Sequence, residues 1–159
     1  MKSIQLFDRK VGFAMVVASI LLATVITAMV SAAQLTQRSI ALSSSSVRAQ
    51  NVTYTVNFTS PTAAGAFVVD FCANSPIVGQ ACTPAGGFSV GTPTSATPGF
   101  TTVTALGTKA VAVTGAIEAN DNVSVAIAGF TNPTASGPLY ARIVTFDTTE
   151  NAEAYVSTL

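Results

Sequence analysis

The sequence predicts an all-β fold: an antiparallel immunoglobulin-like β-sandwich behind an N-terminal hydrophobic helix. Three observations lead there. After residue 50, apolar residues alternate with Thr, Ser and Asn at period two in one short segment after another. Clusters of Gly, Pro, Asn and Ser separate these segments. No long amphipathic helix pattern appears among them.

The first element is the apolar run Val11–Val30, which at about 20 residues is long enough to cross a bilayer core. Lys2, Arg9 and Lys10 against Asp8 give it a positive flank, and Ser31-Ala32-Ala33 follow as a small-residue exit. A secretory signal peptide and a retained membrane anchor share these parts, and both place the rest of the chain outside the cytoplasm. The run exceeds the usual signal core of about 7–15 residues, which keeps the anchor open. Val30-Ser31-Ala32 and Ser31-Ala32-Ala33 nonetheless present small residues at both positions that signal peptidase reads. The preferred reading is a cleaved signal peptide ending at Ala32 or Ala33. Residues 1–33 are thus signal peptide or membrane anchor, and residues 34–159 the β-sandwich domain.

Within that domain, Ile40 and Leu42 alternate with small polar residues, and Ser43–Ser46 oppose helical continuation because their hydroxyls compete for backbone partners. A short strand and a Ser-rich turn are expected. Val52, Tyr54, Val56 and Phe58 then alternate with Thr53, Thr55, Asn57 and Thr59, a half-buried strand ended by Ser60-Pro61. The next strand, Ala66–Cys72, should turn Phe67, Val69 and Phe71 inward and Asp70 outward. Residues 73–99 read mainly as loop, with a short strand near Phe88–Val90. Further strands are expected at Thr101–Leu106, Ala110–Thr114, Asn122–Ala128 and Leu139–Asp147, and a last one at Ala154–Leu159. In Leu139–Asp147, Tyr140, Arg142, Val144 and Phe146 share one face. The apolar finish at Val156-Ser-Thr-Leu159 leaves open a missing closing strand, and hence an unpaired sheet edge.

Charge narrows the function. Only 9% of the residues are charged, against about 25% in ordinary soluble domains. After residue 33, Arg38, Arg48, Lys109 and Arg142 face Asp70, Glu118, Asp121, Asp147, Glu150 and Glu153, a net charge of −2. Four scattered cations cannot supply the counterion release that nucleic-acid binding needs, so no nucleic-acid partner is expected. They also make no polybasic membrane patch, so membrane contact is expected only through residues 11–33 if these are not cleaved.

The chain has no His, which removes Ser-His-Asp and Cys-His catalysis and, with two Cys, makes zinc a poor fit. A Ser–Lys dyad would rest on Lys109, and nothing around it suggests a nucleophile. No enzymatic activity and no cofactor are expected. Asn120, Asp121 and Asn122, or Asp147 with Glu150, fall short of a dedicated calcium loop and read as turn chemistry. Asn51-Val-Thr, Asn57-Phe-Thr and Asn122-Val-Ser match the N-glycosylation pattern, as chance would often produce in a Thr-rich chain. The chain has no Trp, which weakens a carbohydrate-binding reading.

Cys72 and Cys82 are the only cysteines and bracket a Pro/Gly loop, so in an exported chain they read as a disulfide. Closing that loop should contribute roughly 2–3 kcal/mol in the chain-entropy model. The aromatic residues fall mostly at strand-alternating positions and read as core.

Several stretches carry a resemblance: Gln34-Leu-Thr-Gln-Arg-Ser-Ile-Ala-Leu-Ser, Asn51-Val-Thr-Tyr-Thr-Val-Asn-Phe-Thr, Asp70-Phe-Cys-Ala-Asn-Ser-Pro-Ile and Ala81-Cys-Thr-Pro-Ala-Gly-Gly-Phe, with Thr131-Asn-Pro-Thr and Leu139-Tyr-Ala-Arg-Ile. Together they resemble uncharacterised exported β-sandwich surface proteins of Saccharibacteria-type candidate-phylum bacteria. The resemblance covers about residues 33–150 and implies an exported location and a sandwich fold, with no catalytic residues. Separately, Lys10-Val-Gly-Phe-Ala-Met-Val-Val17 is similar to a prepilin signal. It departs from that signal in Val11 before Gly12 and in Val17 where type IV pilins carry an acid.

The expected function is that of an exported, non-enzymatic structural or adhesive protein of the cell surface. Its partners would be a protein or cell-envelope surface, or a second copy through a sheet edge. The alternative is a pilin-like filament subunit or membrane-anchored protein that keeps the hydrophobic helix.

Overall fold

The computed structural model describes residues 34–106 and 109–157, so the hydrophobic run and the cleavage positions Ala32 and Ala33 lie outside the described residues. Eight strands follow in order: β1 (Thr36–Leu42), β2 (Val52–Thr59), β3 (Ala64–Cys72), β4 (Ser89–Ser95), β5 (Thr101–Leu106), β6 (Ala110–Ile117), β7 (Asn122–Thr131) and β8 (Tyr140–Phe146). A helix, α1 (Thr149–Ser157), comes after them.

Period-two alternation makes the sheets two-faced. In β2, Val52, Tyr54, Val56 and Phe58 are buried while the residues between them are half-buried; in β7, Val123, Val125 and Ile127 are buried, with Ser124 exposed and Ala126 half-buried between them. The strands assemble into two antiparallel four-stranded sheets, β1-β2-β7-β4 and β5-β6-β3-β8, which form an all-β sandwich as the sequence predicts. The chain changes sheet five times, between β2 and β3, β3 and β4, β4 and β5, β6 and β7, and β7 and β8. Because β2 pairs with β7 and β3 with β6, the β2–β3 and β6–β7 crossings interlock at the middle of the sandwich.

The core between the sheets is built on these four strands. Tyr54, Phe71, Phe88 and Phe130 pack edge-on or tilted, with ring centroids 4.5 to 6.3 Å apart. Such aromatic pairs add about 0.5–1.5 kcal/mol each beyond the area they bury. The short strand expected near Phe88–Val90 is longer in the structure. β4 runs on through Pro93, which an edge strand tolerates because its outer amides need no ladder partner. Its register with β7 breaks between Val90 and Thr94. Gly129 faces that break with φ +99°, and a Cβ there would fall 2.6 Å from the Thr92 carbonyl oxygen.

Two expectations are corrected. Asp70 does leave the core side of β3, but it is buried rather than solvated, at 1% exposure. The outer face of β3 is itself covered, by the 73–82 loop at Asp70 and Cys72 and by α1 at Ala66 and Val68. Residues 149–157 form a helix where a strand was expected at 154–159. Thr148 caps it, its Oγ1 accepting the Asn151 amide at 3.3 Å, and Glu150 favours the first turn. Ala152 is fully buried against Ala66, Val68, Ala110 and Ala112, small residues that admit a helix at close range. Tyr155 lays its ring 5.3 Å from that of Phe146.

Candidate functional site

The loops at one end of the sandwich, where β3 ends and β2 and β8 begin, are held by two buried polar side chains. Asp70 and Arg142 are direct cross-strand partners in the β3–β8 ladder, and Arg142 Nη2 donates to Asp70 Oδ2 at 2.5 Å. Arg142 Nη1 reaches past the sheet and donates to the carbonyls of Ile77 at 2.7 Å and Gln80 at 2.8 Å. Arg142 Nε is buried with no partner among the described residues. Cys72 and Cys82 close the same loop as the predicted disulfide.

Side chains of the loop complete the restraint. The Ile77 amide donates to Ser75 Oγ at 3.1 Å, and the Ser75 hydroxyl donates to Gln80 Oε1 at 2.6 Å. Asn74 Nδ2 donates to the Ala81 carbonyl, and its Oδ1 accepts the Thr83 amide, both at 2.8 Å. Lys109 Nζ donates to the Cys82 carbonyl at 3.3 Å.

The Ser-rich loop after β1 is held in a parallel way. Asn132, buried, donates from Nδ2 to the carbonyls of Ser44 at 2.9 Å and Ser46 at 2.8 Å. Its Oδ1 accepts the Tyr54 hydroxyl at 2.7 Å. Burial pushes the Tyr54 phenol above its ordinary pKa. Arg142 and Asn132 thus each capture two loop carbonyls that solvent would otherwise satisfy.

This geometry favours positioning over chemistry. Asp70 Oδ1 lies 3.2 Å from Cys82 Sγ and Oδ2 lies 3.5 Å from Cys72 Sγ, but the two sulfurs are bonded to each other and present no thiolate to a metal. Asp121 Oδ2 accepts the Glu118 amide at 3.1 Å, as turn chemistry requires. Of the glycosylation-pattern residues, Asn57 Nδ2 donates to Ser39 Oγ at 3.3 Å, Asn122 Oδ1 accepts the Thr59 hydroxyl at 2.6 Å, and Asn51 is exposed.

Asp70, Arg142 and Asn132 are not among the site residues expected from the sequence. The available signal was a charged residue inside an apolar strand pattern, which occurs in Val69-Asp70-Phe71 and again in Tyr140-Arg142-Val144-Phe146.

The flank of the sandwich carries a second feature. On one side the edge strands β4 and β5 sit against each other. On the other, the edge strands β1 and β8 border a cleft of about 420 Å³. Arg38, Ser39 and Ile40 line it from β1 and Tyr140, Ala141 and Ile143 from β8, with Leu139 and Pro76 beside them. Ile40, Ala141 and Ile143 are half-buried and pack on the central core.

No family model matches this chain, and the comparisons with curated proteins and with solved structures likewise find no match. Among the described residues, no helix is long and apolar enough to cross a membrane.

Proposed function

We propose that this chain is an exported, non-enzymatic structural or adhesive protein of the cell surface, acting through its surface and its sheet edges. One observation carries the reading: β1 and β8, each with one ladder partner, border the same apolar-floored cleft. Free strand edges present unpaired amides and carbonyls, and an extended peptide laid along them gains main-chain hydrogen bonds while alternate side chains enter the cleft. A strand from a second copy or from an envelope protein fits that chemistry. The Cys72–Cys82 disulfide supports an oxidising compartment, in line with the hydrophobic run and small-residue exit at Ala32-Ala33.

The test is incubation of the native exported chain with itself and with cell-envelope fractions, alongside Ile40→Lys, which puts an edge-blunting charge into the cleft. The expected result is assembly or envelope binding by the native chain and its loss in a folded Ile40→Lys variant. A native chain that neither assembles nor binds envelope material overturns the proposal. Amino-terminal sequencing of the same sample is expected to begin at Ala33 or Gln34; a start at Phe13 would favour the pilin-like alternative.

A further inference from the structure

Large hydrophobic side chains are exposed at five described positions: Leu42 (41%), Val47 (50%), Ile77 (56%), Val78 (48%) and Tyr140 (37%). All five sit at the clamped-loop end. Leu42 closes β1 opposite Tyr54, Tyr140 opens β8 opposite Cys72, and Tyr54 and Phe71 touch across the core at 5.4 Å. Val47 lies in the Ser-rich loop, and Ile77 and Val78 form the tip of the disulfide loop.

Acidic charge is sorted along the same axis. Glu118 and Asp121 occupy the β6–β7 turn, and Asp147 and Glu150 follow β8, all at the opposite end, where Ala64 pairs with Ile117 and Ala66 with Phe146. Of the other two carboxylates after residue 33, Asp70 is paired with Arg142 and Glu153 lies on α1. The apolar end carries Arg48, exposed, and Lys109, whose Nζ donates to the Cys82 carbonyl, while Arg38, also exposed, lies on β1 toward the other end.

The backbone of these loops is the third observation. An exposed loop can leave its carbonyls to water, yet here Arg142 takes those of Ile77 and Gln80, and Asn132 those of Ser44 and Ser46. Each carbonyl satisfied from inside in this way is one that the loop can carry into a water-poor layer without orphaning it. Apolar tips on internally satisfied loops, cations beside them and acids at the far end match one kind of partner.

We infer that this end docks on a lipid surface, a contact led by apolar tips rather than a polybasic patch and separate from the one expected through residues 11–33: Ile77 and Val78 enter the interfacial layer of an anionic bilayer, Leu42, Val47 and Tyr140 flank them, and Arg48 faces the phosphates. The inference goes beyond the edge-binding reading and shares only Tyr140 with the lining of the β1–β8 cleft.

The chain has no tryptophan, so Val78→Trp places a single reporter at the tip. The probe is vesicles of phosphatidylcholine with phosphatidylglycerol, plain and with brominated acyl chains, added to the full chain. Vesicles are expected to shift the emission to the blue, and brominated lipid to quench it. Ala119→Trp, an exposed position at the acidic end, is expected to do neither. Adding Ile77→Ser to Val78→Trp should abolish the response, whereas adding Ile40→Lys should leave it intact, which separates this inference from the cleft. A Val78→Trp signal unmoved by vesicles overturns it. So does equal quenching of Ala119→Trp, which would mean attachment through another segment, or a blue shift that follows protein concentration without lipid, which would mean self-association.

Discussion

Arg142 stands directly across the β3–β8 ladder from Asp70, and with both side chains 1% exposed the two charges meet beneath the loop that the Cys72–Cys82 disulfide closes. Desolvating an ion pair costs about as much as the pairing returns, so this pair is poor evidence for stability in itself. Its structural consequence is orientation. Held by Asp70, the guanidinium presents its second nitrogen to the carbonyls of Ile77 and Gln80 and sets the shape of an exposed, apolar-tipped loop.

Removing one partner should therefore be far worse than the pair's net worth. Asp70→Asn leaves the Arg142 charge buried without its counterion and is expected to cost about 3–5 kcal/mol in urea unfolding. Arg142→Lys keeps the charge but, with one nitrogen in place of two, cannot stand at Asp70 and at the loop carbonyls as the guanidinium fork does, so proteolytic cleavage within 76–80 should speed up even where the fold survives. A loop equally resistant in both proteins would show that the fork does not hold it.

Replacing both cysteines with serine should lower stability by roughly 2–3 kcal/mol, the loop-closure value for a bridge spanning this short a segment. The loss should map to the 73–82 loop in amide exchange, because Arg142, Ser75 and Asn74 remain to hold part of it. Unchanged unfolding midpoints under reducing and oxidising conditions would contradict this.

Alkaline pH should weaken the fold through Tyr54. Its phenol titrates higher in the folded state than in the unfolded chain, so the unfolded chain gives up this proton first as pH rises. The Tyr54 contribution is complete below the ordinary tyrosine pKa of about 10 and is lost as pH climbs through the folded value. Ionisation would also set a phenolate against Asn132 Oδ1, which cannot donate. Tyr54→Phe should cost about 1–3 kcal/mol at neutral pH, since it leaves that oxygen buried without a donor, and should flatten the alkaline decline. An identical decline in both proteins would assign it elsewhere.

The outer layer on β3 and β6 gives a packing test. Ala152 is fully buried against four small side chains, so Ala152→Leu has no room and should cost about 1–3 kcal/mol by thermal or chemical unfolding. A neutral result would mean that α1 lifts from the sheet at no cost.

Legibility in the sequence followed the range of the interactions involved. Alternation in Val52–Phe58 and Val123–Ile127 is a local property, and it yields the two-faced strands and the all-β class directly. The Cys72–Cys82 bridge was legible because no other cysteine competes for either partner. The burial of Asp70 was not, because its cover comes from Arg142, 72 residues away, and from a loop and helix whose placement no local pattern encodes. The helix at 149–157 was missed for a related reason. Its Tyr155 and alanines suit a strand about as well, and what selects the helix is the patch of alanines on β3 and β6 that it covers.

Binding through the β1 and β8 edges, as proposed, would show itself in amide hydrogen exchange. Exchange would be followed on the native exported chain, alone and with the assembling or envelope partner present. New protection is expected at residues 36–42 and 140–146, with the β4 and β5 edges unchanged. Protection confined to other segments, or edge amides that exchange as fast in the assembled state as in the free chain, would contradict it.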